Sequence, residues 1–331
     1  MNIKPLQLGF LGSILAGLLP VIVSAEDNAS FTLAKSIQDR MAKGEKPIIR
    51  VSYHDVSNEF APFIRKGVEK AATDFNVDVK LVGPVGADAE KQVSEIESLI
   101  EKGVDGLAIS SVSTDALAPV IQRAMVQGIP VVTFNTDNPS SKRLAFVGQD
   151  LVQSGRVAGK LLADTLGEKG NVIITTLDAA AQWSIDREKG AREALGKYPD
   201  IKILTTVTTG TEPQQIYGSV ENAMQAHPNV DGILSLECCS TPAAGQYVER
   251  NGLIGKVKIV GFDMLPETIR LVQGNIIAAT IDQGPEKQSY GAVSLLLDLL
   301  KGKKIRDVDT GAVVYNSKNI GDYVVASKEQ K

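Results

Sequence analysis

The chain has 331 residues, 43% of them hydrophobic and 22% charged, with a formal net charge of −4 at pH 7. This is an ordinary globular composition, long enough for two domains of about 150 residues each. No long basic stretch is present, so the electrostatic footprint of a nucleic-acid binder is missing.

The first segment, MNIKPLQLGFLGSILAGLLPVIVSA, places Lys4 ahead of an apolar run and closes on Val23-Ser24-Ala25. It predicts a secretory signal over 1–25 cleaved after Ala25, with an uncleaved anchor as the alternative. Pro20 and the small residues at 24–25 favour cleavage. No cysteine follows the run, which excludes a lipid anchor there. Export directs the mature chain to a periplasm. Residues 26–46 are polar and mixed. They read as a leader arm outside the main fold, with a short helix in FTLAKSIQDRMAKG.

From residue 48 a rhythm begins. IIRVSYH (48–54) is an apolar, β-branched strand. Behind it Phe60, Ile64, Val68, Ala71, Ala72 and Phe75 fall at helical spacing. VDVKLVGP (77–84) is the next strand, and Val93, Ile96, Leu99 and Ile100 mark a helix closed at Gly103. Then come VDGLAIS (104–110), the helix TDALAPVIQRAMVQG capped by Gly128, and IPVVTFN (129–135). A domain break is expected near FVGQD (146–150), before the helix LVQSGRVAGKLLADTL. A second series follows: NVIITTL (171–177), IKILTTVT (201–208), VDGILSLE (230–237), VKIVGFD (257–263) and IIAATIDQ (276–283). Strands alternating with helices at a period of about 25 residues build parallel sheets covered on both faces. The fold class is α/β, with two similar doubly wound parallel-sheet domains.

Such sheets bind ligands beyond the carboxyl ends of their strands. Here those ends fall at 57–60, 83–84, 110–113, 135–137, 178–187, 209–212, 237–241, 263 and 283. They hold Asn58, Asn135, Asp137, Arg187, Glu212, Asp263 and Gln283, with aromatic faces at Phe60, Phe134 and Trp183, the sole tryptophan. Amides, carboxylates and a guanidinium bond hydroxyls bidentately, and a sugar ring's C–H face packs on an aromatic ring. Asp137, in TDNPSS, has a turn role as its alternative. His54 ends the first strand and faces the candidate cleft; His227 lies at the opposite end.

Several chemistries lack their residues. No G-x-G-x-x-G follows the first strand, and neither a P-loop nor a G-x-S-x-G elbow occurs. Two histidines and the adjacent pair Cys238–Cys239 do not make a metal site. The cysteines read as two partly buried free thiols or as a strained vicinal bridge. Neighbouring Cα atoms stand about 3.8 Å apart, below the usual disulfide range of about 4.4–6.8 Å.

The blocks KGVEKAATDFNVDV, QVSEIESLIEKGVDGLAIS, GIPVVTFNTD, VGQDLVQSGRVAG, DREKGAREAL and KVKIVGFDMLPETI…GNIIAATIDQ stand in one order along 48–325. In this the chain resembles the periplasmic sugar-binding proteins of the ribose-binding type, whose fold is shared by the ligand-binding part of LacI-type repressors. The resemblance places Asn58 and Phe60 on the family's first-loop amide and aromatic, with Ala61 where a second aromatic is usual. Asn135 and Thr136 stand where ribose binders have an Asp-Arg pair, with Asp137 as a substitute. Arg187 matches the family's R-x-x-G arginine, and Asp263 and Gln283 match the Asp of the second domain and the Gln of the hinge. In ECCSTPAAG the contact falls on Glu237 or Cys239. Trp183 has no fixed counterpart and is inferred to replace the missing aromatic, stacking on the ligand ring from the second domain.

The resemblance further implies a three-segment hinge near 150–151, 283–284 and 312–313 (the periplasmic binding protein type I arrangement). The first domain is then 47–150 plus 284–312, the second 151–283 plus 313–331. A monosaccharide or polyol would be captured by hinge closure and delivered to the membrane permease of an ABC transporter. The alternative is a receptor reporting to a sensor kinase or chemoreceptor. A repressor would need a DNA-binding helix-turn-helix where 1–47 supplies a signal and an arm, and no catalytic constellation marks an enzyme. The expectation is a monomer without cofactor or metal.

Overall fold

The computed structural model describes residues 31–329. The signal expected over 1–25 lies outside the described residues. A short helix α1 (Lys35–Ala42) leads into the first α/β series. That series runs β1 (Ile48–Ser52), α2 (Ala61–Phe75), β2 (Asp78–Val82), α3 (Ala89–Lys102), β3 (Gly106–Ile109), α4 (Thr114–Val126), β4 (Val131–Phe134) and β5 (Ala145–Gly148). The second runs α5 (Leu151–Leu166), β6 (Lys169–Thr176), α6 (Gln182–Leu195), β7 (Asp200–Thr208), α7 (Pro213–Ala226), β8 (Gly232–Ser235), α8 (Ser240–Arg250), β9 (Lys258–Phe262), α9 (Pro266–Gln273) and β10 (Ala279–Asp282). After it come α10 (Pro285–Leu300), β11 (Val308–Asp309), β12 (Val313–Tyr315) and α11 (Ile320–Glu329).

Two sheets result, with orders β11-β5-β4-β3-β1-β2 and β12-β10-β9-β8-β6-β7. Every pairing is parallel except β10 with β12. Each sheet therefore repeats one plan, in which the second strand of the series takes the outer edge and the first lies inside it. Strands β3, β4 and β8 are buried along their whole length, since helices cover both faces of a parallel sheet. Their continuous apolar runs follow from that. The chain passes between the sheets three times: after β5, after β10, and between β11 and β12. Helix α10, although it follows β10, packs on α2 and on β3, β4 and β5.

Side-chain caps start several helices where strands end. Asp88 accepts from Lys91 N–H at α3, Ser113 from Ala116 N–H at α4, and Asp150 from Gln153 N–H at α5. Helices α5 and α6 approach backbone to backbone. A Cβ on Gly190 would come within 1.8 Å of Val152 O, and one on Gly155 within 2.1 Å of Arg187 O. Only glycine allows this contact, and it fixes the helix that carries Trp183 and Arg187.

The segment expected as an arm outside the main fold instead packs on it over its described residues. Ile37 is buried in the core, Ala34 N–H donates to Gly128 O, and Arg40 Nε lies 3.0 Å from the buried Asp105 carboxylate. Phe31, Leu33, Ala34 and Met41 pack on the same core beside Ile37 and help seat this short helix. The expected break at 146–150 also includes strand β5, which pairs with β4 and β11. Among the described residues no helix is long and apolar enough to cross a membrane.

Candidate functional site

A cavity opens where the carboxyl ends of the two sheets face each other. The first sheet's loops supply Tyr53, His54, Asn58, Phe60, Asn135 and Thr136, and the second series supplies Leu151, Leu177, Trp183, Arg187, Glu237, Cys238 and Asp263. Gln283, directly after β10, completes the lining. Its volume is about 30 Å³, near the room of one water and far below the roughly 300–1,000 Å³ of ordinary ligand pockets. The two domains are closed on each other in this conformation.

The first loop is built by side-chain-to-backbone bonds. Asn58 Oδ1 accepts from Phe60 N–H at 3.1 Å and Ala61 N–H at 2.9 Å, which fixes Phe60 at the start of α2. Asp55, buried, accepts from Ser57 N–H, Ser57 Oγ and Gly86 N–H. Tyr53 lies behind this loop, its ring 6.5 Å from that of Phe60. Burial holds its phenol well above the usual range, and the neighbouring Cys238 adds to the shift.

His54 crosses the gap between the domains. Its ring stacks on Trp183 with centroids 4.1 Å apart at 21°, and its Nδ1 lies 2.9 Å from Ser110 Oγ. Burial first, and the charge of Arg187 second, push the imidazole down to about 3. It is neutral at pH 7, which suits a ring packed on an indole. Trp183, 8% exposed, also packs with Leu151, Ala181 and Ala87.

The second domain brings one guanidinium to two carboxylates. Arg187, 3% exposed, donates from NH1 to Leu236 O at 2.9 Å and lies over the Phe262 ring at 4.2 Å. The same nitrogen is 3.7 Å from Glu237 Oε2. Arg187 Nε is buried with no acceptor among the described residues. Glu237 Oε1 accepts from Ser184 Oγ at 2.9 Å and Thr176 Oγ1 at 3.3 Å. Burial raises Glu237 to about 7 and Asp263 to about 6, in each case against the opposing pull of Arg187.

Asn135 and Asp263 both carry left-handed backbone, with φ of 59° and 70°. Outside glycine such conformations are uncommon and are kept where surrounding structure enforces them. Gln283 joins the two: its Oε1 accepts from Asn135 Nδ2 at 3.2 Å and its Nε2 donates to Asp263 Oδ1 at 2.8 Å. Gln288, on α10, accepts from Asn135 Nδ2 at 2.9 Å and donates to Gln283 O at 2.9 Å.

Of the residues expected from sequence, Asn58, Phe60, Asn135, Trp183, Arg187, Asp263 and Gln283 line this one cavity, as do His54 and Glu237. Four expected residues do not, and one of them, Glu212, is exposed at the start of α7. Asp137 is turned away, its carboxylate accepting from Thr133 Oγ1, Asn138 N–H and both Nε and NH2 of Arg143. Phe134 belongs to β4 and is fully buried in the first core. Cys239 starts α8 and is buried in the core, its Sγ 2.9 Å from that of Cys238, which is the lining thiol. Tyr53, Thr136, Leu151, Leu177 and Cys238 were not expected. Tyr53, Thr136 and Cys238 each adjoin a chosen residue, Thr136 at the place where ribose binders carry an arginine, whereas Leu151 and Leu177 are apolar positions that no motif marked.

A family model described as a periplasmic binding protein domain matches residues 49–304. A xylitol-binding protein of Mycolicibacterium smegmatis is 28% identical over 270 residues, which span 81% of this chain and 76% of that protein. Among solved structures, an ABC transporter solute-binding protein from Burkholderia graminis in complex with D-arabinose is 30% identical. It superposes with a TM-score of 0.79 over 83% of this chain and 97% of its own. A chain of the XylFII-LytSN complex is 26% identical, with a TM-score of 0.79 over 82% of this chain and 98% of its own.

Proposed function

The chain belongs to the periplasmic binding protein family, and on that premise we propose that it captures a monosaccharide or polyol between its domains and delivers it to an ABC-type permease. It acts as a binding protein of the periplasm and not as an enzyme. The observation that carries the reading is Arg187, a buried guanidinium in the cavity wall whose Nε–H has no acceptor among the described residues. A buried unpaired donor is costly, and a ligand hydroxyl, which accepts twice and donates once, satisfies it.

The rest of the lining fits the same chemistry. Asp263 and Glu237 accept from hydroxyls, while Phe60 and Trp183 offer faces to a ring or chain of C–H groups. Asn58, Asn135 and Gln283 complete the assigned set, with His54 at its edge. A relative named for xylitol and a structural neighbour holding D-arabinose support a small polyhydroxy solute. The closed cavity is too small to admit one, so the His54–Trp183 stack parts on entry. The segments near 150–151, 283–284 and 312–313 serve as the hinge.

A second reading is a receptor that passes the closed state to a membrane sensor kinase or chemoreceptor. Likeness to a chain solved as part of a complex favours it. Both readings share the solute site.

Thermal unfolding of the mature protein against pentoses, hexoses, deoxysugars, polyols and amino acids tests it. A true ligand at 1,000 times its Kd adds about 4.1 kcal/mol, an upshift of about 6 °C for a cooperative unit of about 300 residues at about 2.1 cal/mol/K per residue. If protein unfolded and refolded to strip bound solute responds to no sugar or polyol, the reading is wrong.

A further inference from the structure

The only two cysteines of the chain are adjacent, and the fold puts them at one functional place. Their Sγ atoms lie 2.9 Å apart where α8 begins, both buried, with Cys238 in the cavity wall. In the closed conformation the pair is quiet. The contact with Cys239 first, and burial second, raise the Cys238 thiol well above its usual range, with Asp263 and Glu237 adding to the shift. The thiolate is the reactive form, so attack on an oxidant requires the domains to part and water to reach Cys238.

We propose that Cys238 and Cys239 form a reversible vicinal disulfide, making the cavity wall a thiol-redox modification site. The oxidant is a low-molecular-weight or protein disulfide, RSSR. Cys238 thiolate attacks one sulfur of RSSR, a mixed disulfide forms, and RS⁻ leaves and takes a proton as RSH. Cys239 thiolate then attacks the Cys238 sulfur, the bridge closes, and the second RS⁻ leaves as RSH. Two protein thiols are oxidised, one disulfide is reduced to two thiols, and the two thiol protons end on the two RSH.

Adjacent Cα atoms, about 3.8 Å apart, hold such a bridge short of the relaxed range. Strained bridges are the readily reduced, labile kind. The consequence falls on the site. Glu237 O accepts from Thr241 N–H and Thr241 Oγ1, and its carboxylate faces Arg187. Closing the ring next door shifts the backbone that positions that carboxylate, so the bridge changes the solute cavity.

The test equilibrates the mature full-length protein in glutathione buffers from reducing to oxidising, then quenches, denatures, alkylates and weighs it. Both thiols are expected to vanish in one step, with a mass loss of two hydrogen atoms and no glutathione retained. Cys238→Ser and Cys239→Ser are each expected to keep a stable glutathione adduct. If they fail to fold, the wild-type titration decides alone. Thiols that stay alkylatable in every buffer overturn the proposal, as does accumulation of a wild-type glutathione adduct or a disulfide-linked dimer. The emission of Trp183, in the same cavity, is expected to change along the same titration; constant emission while the thiols disappear removes the link to the site. The thiol count needs no bound solute, so its failure leaves the solute-binding reading standing.

Discussion

Asn135 and Asp263 occupy equivalent positions in the two domains. Each directly follows the fourth strand of its series, β4 or β9, each has left-handed backbone, and each donates its N–H to the fifth strand. Asn135 N–H goes to Val147 O at 3.1 Å, Asp263 N–H to Ile281 O at 2.9 Å. The repeated plan thus aims one polar side chain from each domain at the same point, and Gln283 bonds both.

Removing the bridge strands two buried partners. Gln283→Leu leaves Asn135 Nδ2 with Gln288 alone and takes one donor from Asp263, and unsatisfied buried groups cost about 1–3 kcal/mol each. Urea denaturation of this variant should show a loss of about 2–4 kcal/mol. Gln122→Ala, at an exposed bond to Ser140 O, should stay within about 0.5 kcal/mol. Equal losses in the two would refute the special role of Gln283.

Arg187 is the countercharge for Glu237 and Asp263, and its replacement should act through both. In Arg187→Met the two buried carboxylates lose the opposing pull that now lowers each. Breaking a buried pair by removing one partner costs about 3–5 kcal/mol. The loss should be large at pH 8, where the acids would be ionised, and smaller at pH 5, where protonation relieves them. A pH-independent loss would mean that packing on Phe262, and not charge, is what Arg187 supplies.

Much of this was legible in the sequence because buried parallel strands need continuous β-branched runs, as in NVIITTL and IPVVTFN. Strand β5 was passed over because AFVG is only four residues and runs straight into a helix cap. Strands β11 and β12 are two and three residues long on sheet edges, too short and too exposed to show a pattern. Arg187, Asp263 and Gln283 could be found because a strand end or a family block fixes their place. Asp137 could not be placed rightly, since position two past the Asn135 turn says nothing about direction. The decisive fact was Arg143, six residues on. Tyr53 was missed because β1 ends at Ser52, two residues short of the end that IIRVSYH suggests.

Glu237 should make stability fall as pH rises through neutrality. Its folded value, about 7, lies above the ordinary 4.5, so the folded form holds a proton that the unfolded form has released. Its contribution is full below about pH 4.5 and is lost as pH climbs to about 7, roughly 3 kcal/mol in all. His54 has the opposite sign. Lowered from 6.5 to about 3, it contributes above pH 6.5 and loses that contribution as pH falls toward 3. Chemical denaturation from pH 4 to 8 should show the loss on the neutral side reduced in Glu237→Gln, the remainder, below about pH 6, belonging to Asp263, and the acid-side loss reduced in His54→Gln. Unchanged profiles in both would mean neither group titrates as its burial requires.

Trp183 and Asp137 should separate binding from stability. Both were candidates from sequence, yet only Trp183 lines the cavity, while Asp137 serves Arg143 and the turn after β4. For the solute that gives the largest thermal upshift, Trp183→Ala should weaken binding about tenfold or more. That is the effect of losing roughly 1.4 kcal/mol of ring contact, near the upper range for an aromatic pair. Asp137→Asn should leave the Kd within about twofold while lowering stability by about 1 kcal/mol, since Arg143 keeps Asp307 as a partner. Calorimetric titration and urea denaturation of both variants read the two effects independently. Should Asp137→Asn lose affinity and Trp183→Ala keep it, the cavity would be assigned to the wrong side of the first domain's fourth strand, and the ring-stacking role of Trp183 would fall with it.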